Sequence, residues 1–211
     1  MPVFGLAVAA YLLGSIPTSL WLGRLLHGVD LRTLGSGNAG GTNALRVLGW
    51  RVGLPVMVVD VGKGSLATAL PALVGVSDPG WLPLACAVAA VLGHVFPVFA
   101  RFRGGKGVAT GAGALIVLAP LAALACAMVW GLVVAATRIV SVASVLAALT
   151  LPFAVGWLDG RAPRGLLVLS VGLALFVAWT HRGNLRRLLR GEEKPITVGR
   201  AGSPPADGAD H

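Results

Sequence analysis

The chain has 211 residues, 56% of them hydrophobic and only 12% charged, with a mean hydropathy of +0.84. A soluble domain carries about 25% charged residues, so a wholly water-exposed surface is excluded and lipid must cover much of this chain. The formal net charge of +9 does not make it a nucleic-acid binder, because the basic residues sit at the ends of apolar runs rather than along one soluble face.

At 1.5 Å rise per residue, about 20 residues cross an apolar layer of about 30 Å. Apolar segments run over about residues 2–23, 52–75, 81–100, 107–119, 121–137, 139–157 and 165–180. The first has no positive region ahead of it, and its first basic residue, Arg24, follows it. That is the pattern of a retained anchor with its N-terminus outside, not of a cleaved signal. The stretch 107–137 is too long for one crossing, and Pro120 predicts two short helices there. The expectation is an all-α integral membrane protein with seven transmembrane helices, some short, the N-terminus outside and the C-terminus cytoplasmic. Residues 1–198 form one polytopic domain, and 199–211, rich in Gly, Pro and Asp, a disordered tail. On this arrangement fourteen of the seventeen Lys and Arg residues face inward, Arg161 and Arg164 face outward, and Lys63 lies within a span. That is a strong positive-inside bias. The alternative has five crossings, with 107–137 as one span and 138–157 re-entrant. Cys86 and Cys126 both lie in apolar segments and read as small buried hydrophobes, neither metal ligands nor a disulfide.

The first inner loop, Asp30 to Arg46, contains Gly35-Ser-Gly-Asn-Ala-Gly40. It matches a dinucleotide-binding spacing, but no strand precedes it, so that fold is excluded. Its glycines can still turn backbone N–H groups onto an anion. Ser36, Asn38, Thr42 and Asn43 add hydrogen-bonding groups, and Arg46 a fork suited to phosphate. A flexible polar connector is the bland alternative. Asp60 and Lys63 lie inside the second apolar segment, where charges are expensive. Their i, i+3 spacing permits either a structural ion pair or a substrate role. The next inner loop carries Gly104-Gly-Lys106-Gly, which fails as a Walker A motif because Gly107 stands where Ser or Thr is needed. What it leaves is a glycine-flanked Lys106 at a helix start, favourable for an anion or for snorkelling at the interface. His94, or His181 with Asn184 three residues on, could be structural or could meet substrate, while Arg187 and Arg190 read as cations for lipid headgroups.

Gly14-Ser-Ile-Pro17, Gly35-Ser-Gly-Asn38 with Thr42, Asn43 and Arg46, and Asp60-Val-Gly-Lys-Gly64 follow one another along the chain. Gly93-His-Val-Phe-Pro97, Phe102 to Thr110, Thr137-Arg138 with Ser141, and His181-Arg-Gly-Asn184 come after them. In this order the blocks resemble the bacterial acyl-phosphate:glycerol-3-phosphate acyltransferases over residues 14–184. Gly41 and Arg103 depart from the usual Ala and Lys without removing a needed side chain. The resemblance implies acyl transfer from acyl phosphate to glycerol 3-phosphate in phospholipid synthesis, giving lysophosphatidic acid. The site would lie on the cytoplasmic face of the bacterial inner membrane. It implies Ser36, Arg46 and Lys106 as catalytic residues. Asn38, Thr42, Asn43, Lys63, His94, Gly104, Gly105, His181 and Asn184 would bind substrate, with no metal, cofactor, nucleic acid or obligate protein partner. Two rivals differ in class. A transporter of phosphate or an organic phosphate would also bury cations beside broken helices. A thioester-dependent acyltransferase would carry a His-x₄-Asp pair, but Arg32, Phe99 and Arg186 stand five residues after His27, His94 and His181.

Overall fold

The structure, a computed structural model, describes residues 2–76, 80–158 and 163–196. The expected tail and Arg161 lie outside the described residues. Those described form ten α-helices and two 3-10 turns, with no strand.

The first apolar segment becomes α1 (Pro2–Gly14) and α2 (Thr18–His27), parted at Ser15–Pro17, and α2 ends at Gly28 in the left-handed conformation. A short amphipathic α3 (Gly41–Leu48) precedes α4 (Trp50–Leu73) and α5 (Leu82–Val95). Then come α6 (Val108–Leu118), α7 (Pro120–Thr137), α8 (Val140–Leu158), α9 (Arg164–Thr180) and α10 (Arg182–Leu189). Five stretches are long and apolar enough to cross a membrane: Val3–His27, Trp50–Leu73, Leu82–Ala100, Pro120–Thr137 and Val140–Leu158. Counted as one broken span, the pair α9–α10, bent by 56° at His181, adds a sixth. The remaining apolar segment is α6, whose 11 residues reach only about 16 Å. Two separate helices flank Ala119, as Pro120 predicts, and α8 is continuous. Neither one helix over 107–137 nor a break within Val140–Leu158 is present.

Helices in lipid gain little from apolar burial against one another, so small residues that allow close approach hold them together. Gly64 faces the Thr110 carbonyl and Gly113 the Val61 carbonyl, and a methyl group on either would stand 2.0 Å from the oxygen. Gly14 and Gly93 join α1 to α5 in the same way, against Ala90 and Tyr11. Leu20, Leu31, Ala44, Leu48, Val52 and Val56 pack α3 and its leading loop onto α2 and α4. Beyond Ala119 the packing partners diverge: α6 lies mainly on α4, and α7 mainly on α8. The space left between α6 and α7 is a cavity backed by α8 and α9.

Candidate active site

Four chain segments meet at one end of the bundle, around a cavity of about 370 Å³. The loop before α3 supplies Ser36 and Asn38 to its wall, and α3 itself supplies Thr42 and Arg46. Asn43 shapes that loop. Its Oδ1 accepts from the Ser36 N–H at 2.9 Å, and its Nδ2 donates to the Leu31 and Leu34 carbonyls at 2.9 and 3.0 Å. Gly35 adopts φ +58°, and a side chain there would strike the Asn43 amide. Asn43, expected to bind substrate, is buried with both amide hydrogens committed to the loop. Gly41, which departs from the family's usual Ala, leaves room that the Met57 side chain fills.

The loop after α5 turns through Arg101 and Phe102, both non-glycine residues in the left-handed region with φ of 55° and 59°. Such residues are held only where surrounding structure enforces them. Gly104 and Gly105 then fold back on α5, their N–H groups donating to the Val95 and His94 carbonyls at 3.2 and 3.1 Å. A Cβ on Gly105 would lie 2.1 Å from His94 Nε2. Neither glycine reaches the cavity wall; they close the loop against His94 so that Lys106 projects into the cavity.

Lys106 donates to Asn184 Oδ1. Burial lowers its pKa to about 8; the Glu193 carboxylate opposes that shift, and Arg187 and Arg46 add to it. His181 sits at the α9–α10 bend with Nδ1 at 2.8 Å from the Val177 carbonyl. The carbonyl can only accept, so the proton is on Nδ1 and Nε2 is the acceptor nitrogen. Asn184 Nδ2 donates to Glu193 Oε1 at 2.6 Å, Ser141 Oγ to the same oxygen at 2.8 Å, and Arg187 Nε to Oε2 at 2.8 Å. Burial disfavours the Glu193 charge, but these three bonds outweigh it and hold its carboxyl below the ordinary value. A backbone bond from Ile196 N–H to the Arg138 carbonyl ties this C-terminal stretch across the start of α8.

Two expectations change here. Arg187 is bonded to a carboxylate at the site, not simply offered to lipid headgroups. Lys63 does not line the main cavity: its Nζ lies 2.8 Å from Asp60 Oδ1 and donates to the Ile16 carbonyl at 2.9 Å, beside a separate small void. Of the two readings open for Asp60 and Lys63, this geometry is that of a structural pair, bracing the break between α1 and α2. Asp60 does come near His94, but at 3.7 Å and already paired with Lys63. That is outside hydrogen-bond reach.

Glu193 is the residue that sequence reasoning missed. The one available signal was that Glu192 and Glu193 are the only acidic side chains in the basic stretch after His181. Away from the cations the cavity turns apolar, walled by Val91, Ala112, Leu115, Ala123, Ala147, Leu151 and Leu173. Among the described residues no group of three His, Cys, Asp or Glu side chains forms a possible metal site. A chamber with cations and amides at one end and hydrocarbon at the other suits an amphipathic ligand with an anionic head.

The family model described as glycerol-3-phosphate acyltransferase matches residues 4–191. A glycerol-3-phosphate acyltransferase of Chlorobaculum parvum is 42% identical over 220 residues, covering 90% of this chain and 95% of the relative. The crystal structure of PlsY (YgiH), an integral membrane glycerol 3-phosphate acyltransferase, superposes in its glycerol 3-phosphate form with a TM-score of 0.86. That structure is 36% identical, with 93% of this chain and 96% of the other covered. The lysophosphatidic acid form gives 0.83 at 35% identity, over 92% and 95%. The match spans nearly the whole membrane region and every segment that meets at the cavity, so this chain belongs to the glycerol-3-phosphate acyltransferase family.

Proposed function

We propose that this glycerol-3-phosphate acyltransferase takes its acyl group from an acyl phosphate, working at the cytoplasmic face of the inner membrane with seven crossings and the N-terminus outside. The carrying observation is the two-natured cavity, in which Ser36, Arg46, Lys106, His181 and Asn184 surround one end and apolar side chains the other. Two phosphates must be held there, one on each substrate, and two cations beside the Ser36 and Thr42 hydroxyls and the Asn38 amide suit that task. The family leaves the transporter reading without support.

In the reaction the 1-hydroxyl of glycerol 3-phosphate attacks the carbonyl carbon of the mixed anhydride. The new C–O bond forms, the bond to the phosphate oxygen breaks, and the departing phosphate takes the hydroxyl proton. Arg46 and Lys106 neutralise charge that grows on the donor, while Ser36 and the loop it sits in orient the phosphate. His181 and Asn184 hold the acceptor. No side chain is required as general base, and the missing Asp60–His94 hydrogen bond supports this assignment.

The test is purified protein with acyl phosphate and radiolabelled glycerol 3-phosphate, scored for lysophosphatidic acid, with acyl-CoA in a parallel reaction. Product from acyl phosphate alone is expected, and equal rates from acyl-CoA would overturn the donor assignment. His94→Gln and His181→Gln should each retain measurable turnover. A loss of kcat near 10⁴-fold with the acidic limb of the pH profile gone would identify that residue as the base.

A further inference from the structure

The apolar half of the cavity changes character with depth. Its polar end is marked by Lys106, Ser141 and His181, and the α8 wall below Ser141 is Ser144, Ala147 and Ala148 before Leu151. On α6 the upper wall is also small, through Gly111 and Ala112, whereas the α7 wall descends from Trp130, whose Nε1 donates to Ser144 Oγ at 3.3 Å, to Ala127, Cys126 and Ala123. Then leucines arrive together: Leu151 ten residues beyond Ser141, Leu115 nine beyond Lys106, and Leu173 eight before His181. At 1.5 Å per helical residue these distances are all about 12–15 Å. Below that level Leu115 and Leu151 belong to a closed core with Ala119, Ala122 and Val155.

We infer that Leu151, Leu115 and Leu173 form a floor that sets which acyl-chain lengths react well. The inference rests on the acyl phosphate reading above. An extended hydrocarbon advances roughly 1.25 Å per carbon, given C–C bonds of about 1.5 Å, so about ten to twelve carbons run straight from the polar end to the leucines. A longer chain folds back within the chamber, leaves through its open side toward lipid, or lifts the reacting carbonyl away from Arg46 and Lys106. Small α6 and α8 walls above a leucine floor leave width for such folding but no further depth, because cores of this kind resist overfilling.

The experiment compares kcat/KM for acyl phosphates of graded length, from eight to eighteen carbons, with labelled glycerol 3-phosphate in excess. Leu151→Ala deepens the chamber and should raise the ratio of sixteen-carbon to ten-carbon activity. Ala148→Phe fills it seven residues beyond Ser141, at about 10 Å, and should lower the same ratio by about tenfold. Ala127→Phe on the opposite wall is expected to act in the same direction, which keeps the test open if Ala148→Phe does not fold. An unchanged ratio in these variants, with turnover intact, overturns the floor while leaving the donor assignment standing. No product from any acyl phosphate with the unaltered protein overturns the donor assignment, and the inference with it.

Discussion

At Lys106 the ammonium is needed where water is scarce, and burial has already lowered its pKa to about 8. A lowered pKa means the charge is present below about 8 and lost as the pH rises through it. Activity measured from pH 6 to 10 should therefore fall on the alkaline side near 8. Lys106→Arg should remove that limb, and Glu193→Gln should move it to lower pH, because the carboxylate favours the ammonium. Charge removal is the sharper test of the site. Lys106→Ala and Arg46→Ala should each lower kcat by about 10²-fold or more, the usual loss of one positioned charge stabiliser. Near-normal rates in folded protein would place the site elsewhere. Both cations were legible in the sequence because each stands next to a glycine-rich run, Lys106 within one and Arg46 just after another, with no acidic residue nearby in the chain to pair with it. Glu193 was not, since its partners Ser141 and Asn184 come from different helices, one of them 52 residues away. The loop-shaping bonds of Asn43 were not legible for the opposite reason: they are local, but the carbonyls it serves exist only once Gly35 has turned the loop.

Between the two glycine-rich loops stands one guanidinium. Arg32 Nη1 donates to the Ala100 carbonyl at 3.0 Å, immediately before the strained Arg101–Phe102 turn that leads to Lys106. Its Nε and Nη2 bond to Asp30 at 3.0 and 2.6 Å, and Arg24 Nη2 reaches the same carboxylate at 2.8 Å. The hydrogen bonds from Arg32 hold the Asp30 carboxyl far below the usual carboxylate range, against the effect of burial. Arg32→Ala should thus leave every wall residue in place and still loosen their spacing, raising KM for glycerol 3-phosphate about tenfold. Initial rates with a thermal melt distinguish this from unfolding, and Arg32→Lys should recover part of the loss. Unaltered KM would reduce Arg32 to a surface residue. Element by element, the apolar runs and Pro120 made most helices readable. The bend at His181 was not, because no proline or glycine marks that residue and its ring bonds back to Val177.

For the molecule as a whole, the chain ends of α2, α5, α7 and α9 and their following loops gather at one side, where the basic residues concentrate. Hydropathy foresaw this grouping, since the apolar runs that end on that side stop at Arg24, Arg101, Arg138 and His181-Arg182. Pro120 foresaw two helices over 107–137, but not that α6 keeps only 11 residues between Gly107 and Ala119. With Cys86 and Cys126 replaced, single cysteines at the exposed positions Arg51, Arg103 and Arg190 should react only after the inner face is opened. A cysteine at the exposed Trp81 should react from outside intact cells. Labelling of any of the first three from outside would invert the proposed orientation.

The Asp60–Lys63 pair also bears on how the protein enters the membrane as it is made. A lone charge at the centre of an inserting helix costs about 2.5–3.5 kcal/mol, and α4 carries two, along with Pro55 and Pro71. Because the pair lies within one helix, 2.8 Å apart, each charge meets its counterpart before α5 or α6 has been synthesised. The third partner, the Ile16 carbonyl freed by the break after α1, has already emerged by then. The order of these segments along the chain is thus an order of assembly in which α4 need not wait for later helices. Lys63→Ala leaves Asp60 without its counter-ion at that moment, and should reduce the fraction of nascent chains in which this helix is inserted, as read by glycosylation mapping in a translation system with membranes.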